Sequence, residues 1–501
     1  MIRRDGEPKQ RTFGDEARAM AAVPQEHVLL RMKRVIDWGA VEKELEGYYD
    51  RWVGRPSWPP GLLVRMLLLE QWGDLSDRQV SEQVGYNLLY RTFVGLGIDD
   101  AVPDDTTLVK FRERLGEEGV RKIFELVNGQ WAAAGLIGEE RRVLDGVHLW
   151  AKVANRSLAA LLRKGREVII EAVGEIDKGR GEKLREQYLG TAGRLEVSAT
   201  EAAAAEGERT KGLVEAVGDL SDEKVRSRVA QVQTLLAGEG GRVVSFDDPD
   251  ARWGYKAADK RFCGYKAHEA LDPDSRLITG VTVVAGNEHE GVQTDALLAV
   301  QTPALEEGTT IIGDGYYNNA TTVEQVKAAG MRPCFSGRET ERVSDRFSYE
   351  QEQDRMICAG GKGSVGKVRV DKGDLYYFSM RDCGVCPLQD KCLSPGEREG
   401  KAQKRRRVYL SDVRKAKVVA GEAGKQWRKD QLRVRGRIEA KFSEQMNRHG
   451  LRHARYWGLS KVTMQVVLNV IAVNAKRVVT LLRQAAAGPP ARICEAMEAI
   501  G

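Results

Sequence analysis

Val143-Leu144-Asp145-Gly146-Val147-His148-Leu149-Trp150 is an apolar run with a carboxylate inside it. Side chains alternate along a strand, so Asp145 shares a face with Val143, Val147 and Leu149, while His148 points to the other face as a packed or hydrogen-bonded ring. An acid on a buried strand is costly unless something pairs with it. A second run, Thr309-Thr310-Ile311-Ile312-Gly313-Asp314-Gly315, closes on Asp314 between two glycines that leave the backbone open to a phosphate. A third acid, Glu439, stands in the basic stretch Arg433-Val434-Arg435-Gly436-Arg437-Ile438-Glu439-Ala440-Lys441-Phe442. There Val434, Ile438 and Phe442 recur at helical spacing and place Glu439 at the edge of the buried stripe, one turn after Arg435. Each acid alone is compatible with a turn or a cap. In the order strand, strand end, basic helix, the three imply carboxylates holding a divalent cation, Mg²⁺ or Mn²⁺, against a phosphate.

A chain of 501 residues has room for two to four domains. At 42% hydrophobic and 30% charged residues it is neither a disordered chain nor a membrane protein by composition. The first residues are polar and lack the apolar stretch of a signal peptide. Val462 to Leu482, the most apolar segment, is broken by Asn469, Asn474, Lys476 and Arg477 and reads as a buried helix. The expected setting is therefore cytoplasmic and nucleoid-associated, with no membrane partner. Net charge is +6, yet Lys401 to Lys461 alone holds 19 Lys or Arg against 5 Asp or Glu, leaving the rest of the chain acidic. Lys404-Arg405-Arg406-Arg407 by itself is compatible with a solvated face. A basic segment of this extent around a carboxylate fits double-stranded DNA docking there, on Lys404, Arg405, Arg406 and Arg407 as well as on Arg435 and Arg437.

Residues 1–22 read as a flexible leader and 23–135 as an N-terminal helical, DNA-binding domain. Within it Leu62 to Leu69 is the most buried helix. Helices over Ser76–Val84 and Asp105–Leu115, joined by Gly-containing turns, fit either a helix-turn-helix-like domain or a plain bundle. Residues 136–155 begin an RNase H-like core, and 156–245, rich in Ala, Glu, Lys and Arg, read as a helical insertion in the form of a hairpin or coiled-coil arm. The core continues over 246–338, with strands at Cys263–Leu271 and Leu277–Ala285 and helices at Val292–Ala304 and Ala320–Ala329. A Cys-containing β insertion (339–425), C-terminal core helices (426–485) and a tail (486–501) complete the chain. The fold class is α/β: an RNase H-like mixed-sheet catalytic core, an all-helical N-terminal domain and two insertions.

Cys358, Cys383, Cys386 and Cys392 cluster in sequence and suffice for one structural Zn²⁺. Reduced, buried thiols are the alternative; disulfides are disfavoured without a secretory signal. Cys263, Cys334 and Cys494 are scattered and read as core or incidental.

Leu144-Asp145-Gly146-Val147-His148, Gly264-Tyr265-Lys266-Ala267-His268-Glu269-Ala270, Gly313-Asp314-Gly315-Tyr316-Tyr317 and Arg435-Gly436-Arg437-Ile438-Glu439-Ala440-Lys441-Phe442 together resemble the DDE transposases of bacterial insertion sequences. The similarity runs from about Ile36 to Leu482, and the helical N-terminal part resembles the domain preceding the core in one branch. It implies that Asp145, Asp314 and Glu439 are the catalytic and metal-binding triad. It also implies Mg²⁺-dependent cleavage at element ends, strand transfer into target DNA, and a homodimer or higher assembly on DNA. The chain departs from the family where a Tyr and a Lys are usual on the last helix; Leu432 and Met446 stand there. The competing expectations are a repurposed, non-catalytic DNA-binding protein and a metal-dependent nuclease without strand transfer.

Overall fold

The computed structural model describes residues 21–49, 57–153, 156–190, 198–237, 244–257, 260–336, 346–393, 405–419 and 421–486. Almost all of the leader, the tail beyond residue 486, Lys404 and Cys494 lie outside the described residues.

In chain order the helical start comprises α1 (Val28–Arg34), α2 (Trp38–Leu45), α3 (Pro60–Gly73), α4 (Asp77–Tyr86), α5 (Leu88–Val94) and α6 (Asp105–Ala133). Strand β1 (Arg141–Trp150) is followed by α7 (Leu158–Ile176), α8 (Lys178–Leu189), α9 (Ala199–Ala216) and α10 (Glu223–Leu236). Then come β2 (Arg252–Ala257), β3 (Lys260–Leu271), β4 (Ile278–Ala285), α11 (Thr294–Ala299), β5 (Thr310–Gly313), α12 (Ala320–Ala328) and β6 (Arg332–Phe335). The next stretch holds β7 (Ser348–Glu350), β8 (Arg355–Ile357), β9 (Gly366–Val370), β10 (Gly373–Tyr377), α13 (Met380–Gly384), α14 (Gln389–Cys392) and β11 (Arg407–Ser411). Helices α15 (Asp412–Val419), α16 (Gly421–Leu432), α17 (Gly436–Arg448) and α18 (Leu459–Ala486) end the described chain. The main sheet has the hydrogen-bonded order β2-β3-β1-β5-β6, with β4 also on β3.

The chain divides into two compact units: Met1–Glu139, Asp145–Leu305 and Ile438–Gly501 form the first, Glu140–Leu144 and Glu306–Arg437 the second. The first unit is organised around α18, which packs on α1, α3, α6 and β4. That helix is long and apolar enough to cross a membrane by length and composition, but 78% of its apolar window is buried within the protein. Its interrupting amides hold the packing. Asn474 receives the Ile278 N–H (3.0 Å) and donates to the Ile278 carbonyl (2.8 Å), and Asn469 donates to the His449 carbonyl (2.9 Å). β3 is antiparallel to both β2 and β4, and from Phe262 to Leu271 it is buried on both faces, so period-two alternation is absent from it. Gly264 has φ +153°, and a Cβ there would lie 2.0 Å from the Leu149 carbonyl oxygen, so only glycine lets β1 and β3 approach so closely.

Two expectations change in this unit. The helices expected to form a helix-turn-helix pair are not consecutive, because α5 intervenes after Asn87 caps it by accepting the Leu89 and Tyr90 amides. The second of them runs on to Ala133 across a kink at Gly116 (φ 58°). Among the described residues, 158–236 hold four helices rather than the expected hairpin or coiled-coil arm. Helix α7 is their centre, and Leu161, Ile169, Val173, Leu213, Val232 and Phe246 give them a core of their own. Sequence periodicity shows helix but cannot count the turns between Ala-rich segments, where apolar side chains are small.

In the second unit β1, β5 and β6 are parallel, with Val143 opposite Ile312 and Ile312 opposite Cys334. Antiparallel β9-β10-β11 and the β7-β8 pair form the β-containing segment, cored by Phe347, Met356, Tyr376, Phe378, Val408 and Leu410.

Candidate active site

Strand β1 is recorded in both units, with the division falling between Leu144 and Asp145. Val143, Leu144, Val147 and Leu149 are buried and fix the strand, while Asp145 is partly exposed and accepts the Gly146 N–H at 2.8 Å. His148, as expected, packs edge-on against Phe262 with ring centroids 4.5 Å apart. Burial, with Lys266 and Lys256 adding, lowers its pKa to about 4, so it is neutral at ordinary pH.

In the second unit Asp314 is the first residue beyond β5, partly exposed, and accepts the Tyr316 N–H at 2.8 Å. It follows Ile312 by two residues, as Asp145 follows Ile312's register partner Val143. The glycine before it serves packing rather than an open backbone. A Cβ on Gly313 would meet Phe335 and Tyr317 at 3.0 Å, and those two rings stack with centroids 6.1 Å apart.

Glu439 lies in the first turn of α17 and is exposed. The helix begins at Gly436, so Arg435 sits in the turn between α16 and α17 rather than one turn earlier on the same helix. Gly436 and the break after Leu432 interrupt the helical stretch that the four-residue spacing suggested. Glu439 belongs to the first unit, and Arg435 and Arg437 to the second. The buried face of α17 is Ile438, Lys441, Phe442 and Gln445. Two of these are polar, and sequence periodicity passed over both.

Gln445 leads to a carboxyl that the sequence did not single out. Its Nε2 donates to Glu269 Oε1 at 2.9 Å, and both side chains are fully buried. Burial pushes Glu269 up to about 7; the Gln445 bond and the Lys441 charge pull it down, and the charge of Asp145 raises it further. Nearby, Glu444 is held by Lys441 (3.2 Å) and Lys476 (2.7 Å), an ion cluster that keeps it occupied. Because β3 is buried on both faces, no alternation marked Glu269. The one acid in a strand whose other charged residues are Lys or Arg was the available signal.

The four clustered cysteines, all in the second unit, line one pocket with Phe347, Phe378 and Arg406. Cys358 opens a tight turn: its N–H donates to the Lys362 carbonyl (2.9 Å), and the Lys362 N–H donates to its sulfur (3.4 Å). A Cβ on Gly360 would lie 3.7 Å from the Cys358 sulfur and 3.8 Å from that of Cys386. The Cys392 thiol is raised by burial, opposed by Arg406 and reinforced by the other three cysteines. Among the described residues no three His, Cys, Asp or Glu side chains are drawn into a ready-made metal cage, here or at the carboxylates. Cys263 and Cys334 are buried, as expected for core thiols.

Of the basic run, Arg405 lies over the Tyr377 ring at 4.9 Å, Arg406 donates to the Cys392 carbonyl at 3.0 Å, and Arg407 is exposed at the start of β11. Arg406 is thus engaged in holding the cysteine pocket.

Two family models match the chain. Residues 17–114 match a transposase domain (DUF772), and residues 233–475 match a transposase DDE domain. The second match contains Asp314 and Glu439 and begins after Asp145; the two together span about two thirds of the chain. With the DDE domain comes an RNase H-like core, in keeping with the mixed sheet, and metal-dependent cleavage and transesterification of DNA. A helical transposase module followed by a DDE catalytic module places the chain among the DDE transposases of insertion sequences.

Proposed function

We propose that Asp145, Asp314 and Glu439 are the three catalytic carboxylates of this transposase. The observation that carries the reading is register: Val143 and Ile312 are paired in parallel strands, and Asp145 and Asp314 each follow by two residues. The donor set fits a hard divalent cation, since carboxylate oxygens are what Mg²⁺ or Mn²⁺ takes. When bound, such ions supply charge neutralisation and activate the attacking oxygen for in-line displacement. The chain itself supplies strands that hold two of the carboxylates, Asp145 within β1 and Asp314 just past β5. It also supplies a third acid on a helix whose inward face is fixed by Ile438, Phe442 and Gln445. One carboxylate set then serves both the cut at the element end and the joining of its 3′-oxygen to target DNA.

We propose further that DNA runs over the basic segment around α16 and α17, that two or more copies pair the element ends, and that the protein works at the nucleoid. Replacing Arg435 or Arg437 by Ala is expected to weaken DNA binding across all sequences. Each lost phosphate contact should lower the log–log salt slope by about one unit. A slope unchanged in both variants would remove these residues from the interface. The overall test is incubation of the purified chain with duplex carrying the DNA that flanks its gene. Mg²⁺-dependent nicking at the ends, followed by joined products on a gel, is expected. Nicking without joining would favour the nuclease reading, and binding without nicking the non-catalytic one.

The cysteine pocket of the second unit is proposed as a structural Zn²⁺ site of Cys358, Cys383, Cys386 and Cys392. Their shared pocket and the N–H donated to the Cys358 sulfur support it, and the charges of the other three cysteines add to the burial that raises the Cys392 thiol, a repulsion that a bound cation would relieve. Metal analysis should find about one zinc per chain, lost in a Cys383→Ser/Cys386→Ser variant. Protein purified without chelator that carries no zinc, with all thiols titratable, would leave ordinary reduced cysteines.

A further inference from the structure

Glu269 is wholly buried on β3, and so is Gln445, which donates to its Oε1 at 2.9 Å. Its other oxygen, Oε2, meets no hydrogen-bond partner among the described residues. A buried carboxyl with an unsatisfied oxygen is costly, and a leucine would fill comparable space without that cost. Packing therefore does not account for it, and its position does. β1 and β3 are neighbours in the sheet, and a Cβ on Gly146, the residue after Asp145, would lie 3.3 Å from His268 Nδ1, the residue before Glu269. On its other side stands α17, through Gln445 and the buried Lys441, whose Nζ is 3.2 Å from Glu444. Glu269 thus lies between the strand that carries Asp145 and the helix that carries Glu439, all within the first unit.

We propose that Glu269 is a positioning residue of the catalytic centre, its bond to Gln445 setting where α17 presents Glu439 relative to Asp145. This rests on the assignment of Asp145 and Glu439 as catalytic carboxylates. Divalent cations of the Mg²⁺ type demand near-ideal oxygen geometry, so a shift of the helix by a fraction of an ångström degrades the site without emptying it. The hydrogen bond needs an acceptor at Oε1 and not a charge. Glutamine at 269 would keep that acceptor and offer an amide to Gln445 Oε1, which is itself buried without a hydrogen-bond partner among the described residues.

The test is single-turnover cleavage by the full-length chain, titrated with Mg²⁺, alongside DNA affinity and thermal melting. Glu269→Leu and Gln445→Leu should each lower the maximal rate by about 100-fold, the scale of an ångström of misplacement. Each should also raise the Mg²⁺ concentration for half-maximal rate, with DNA affinity unchanged. Glu269→Gln should recover most of the rate that Glu269→Leu loses. A wild-type rate and Mg²⁺ dependence in Gln445→Leu would overturn the proposal. So would a lowered melting point with the Mg²⁺ dependence intact, which marks a purely structural role. If Glu269→Gln is as inactive as Glu269→Leu, the charge itself is required and the positioning role is wrong. Should Glu269→Leu fail to fold, Gln445→Leu decides. Normal cleavage by Asp145→Asn would instead remove the underlying triad, which keeps the two failures apart.

Discussion

Asp145→Asn and Asp314→Asn are each expected to lower the single-turnover rate of end cleavage by about 10³-fold or more, while DNA affinity changes little. The size follows from what a carboxylate contributes. Metal-borne charge stabilisation is worth several kcal/mol in the transition state, and each 1.36 kcal/mol is a factor of ten in rate. Asparagine keeps the shape and the acceptor that takes the Gly146 or Tyr316 N–H, so the local turn survives and only the charge is lost. Affinity persists because it comes from Lys and Arg on phosphates, and removing an acid near the DNA lowers repulsion. Glu439→Gln should behave in the same way. Its helix carries one other acid, Glu444, five residues further on, but Lys441 and Lys476 already hold that carboxylate. Normal cleavage by Glu439→Gln would therefore sink the third assignment without supplying an obvious substitute.

The candidate acids stood out by their order, strand, strand end and basic helix, since each alone is compatible with a turn or a cap. Asp145 and Asp314 lie on or just past strands found where the apolar runs lie, β1 and β5. The pairing Val143–Ile312 could not be read, since register between strands so distant in sequence is set by tertiary packing. Helix α17 was half legible. Its apolar residues marked the buried side, but Lys441 and Gln445 are buried too, for polar partners on β3 and α18 that no local pattern encodes. Glycines misled in one instance. Gly313 looked like room for a phosphate and is instead required by the Phe335 and Tyr317 rings. The spacing of the cysteines left their meeting open, and only the fold brings Cys358 into the pocket of the other three.

Arg112→Leu is expected to cost about 3–5 kcal/mol of stability, because it breaks a buried charge cluster by removing one partner. Glu70, on α3 and 1% exposed, accepts from Arg112 at 3.2 Å, Arg455 at 3.0 Å and Tyr456 at 2.6 Å. Arg112 comes from α6 and also pairs with Asp77, while Arg455 also reaches Asp74. Burial raises the Glu70 pKa, and the Arg112 charge is the largest influence opposing it, so losing Arg112 leaves a buried acid with only Arg455 and Tyr456 to compensate it. Glu70 and Arg112 lie in the part matched by the transposase domain, Arg455 and Tyr456 in the part matched by the DDE domain, and all four belong to the first unit. The cluster therefore binds the N-terminal helices to the segment just after α17. Urea denaturation of the Arg112→Leu variant measures the loss. The Glu70→Leu/Arg112→Leu double variant should lose less than the sum of the singles, because each single strands a charge that the double removes. A loss below about 1 kcal/mol, the range of an exposed ion pair, would mean the cluster is hydrated in solution. The N-terminal module would then not be fixed to the catalytic one by charge.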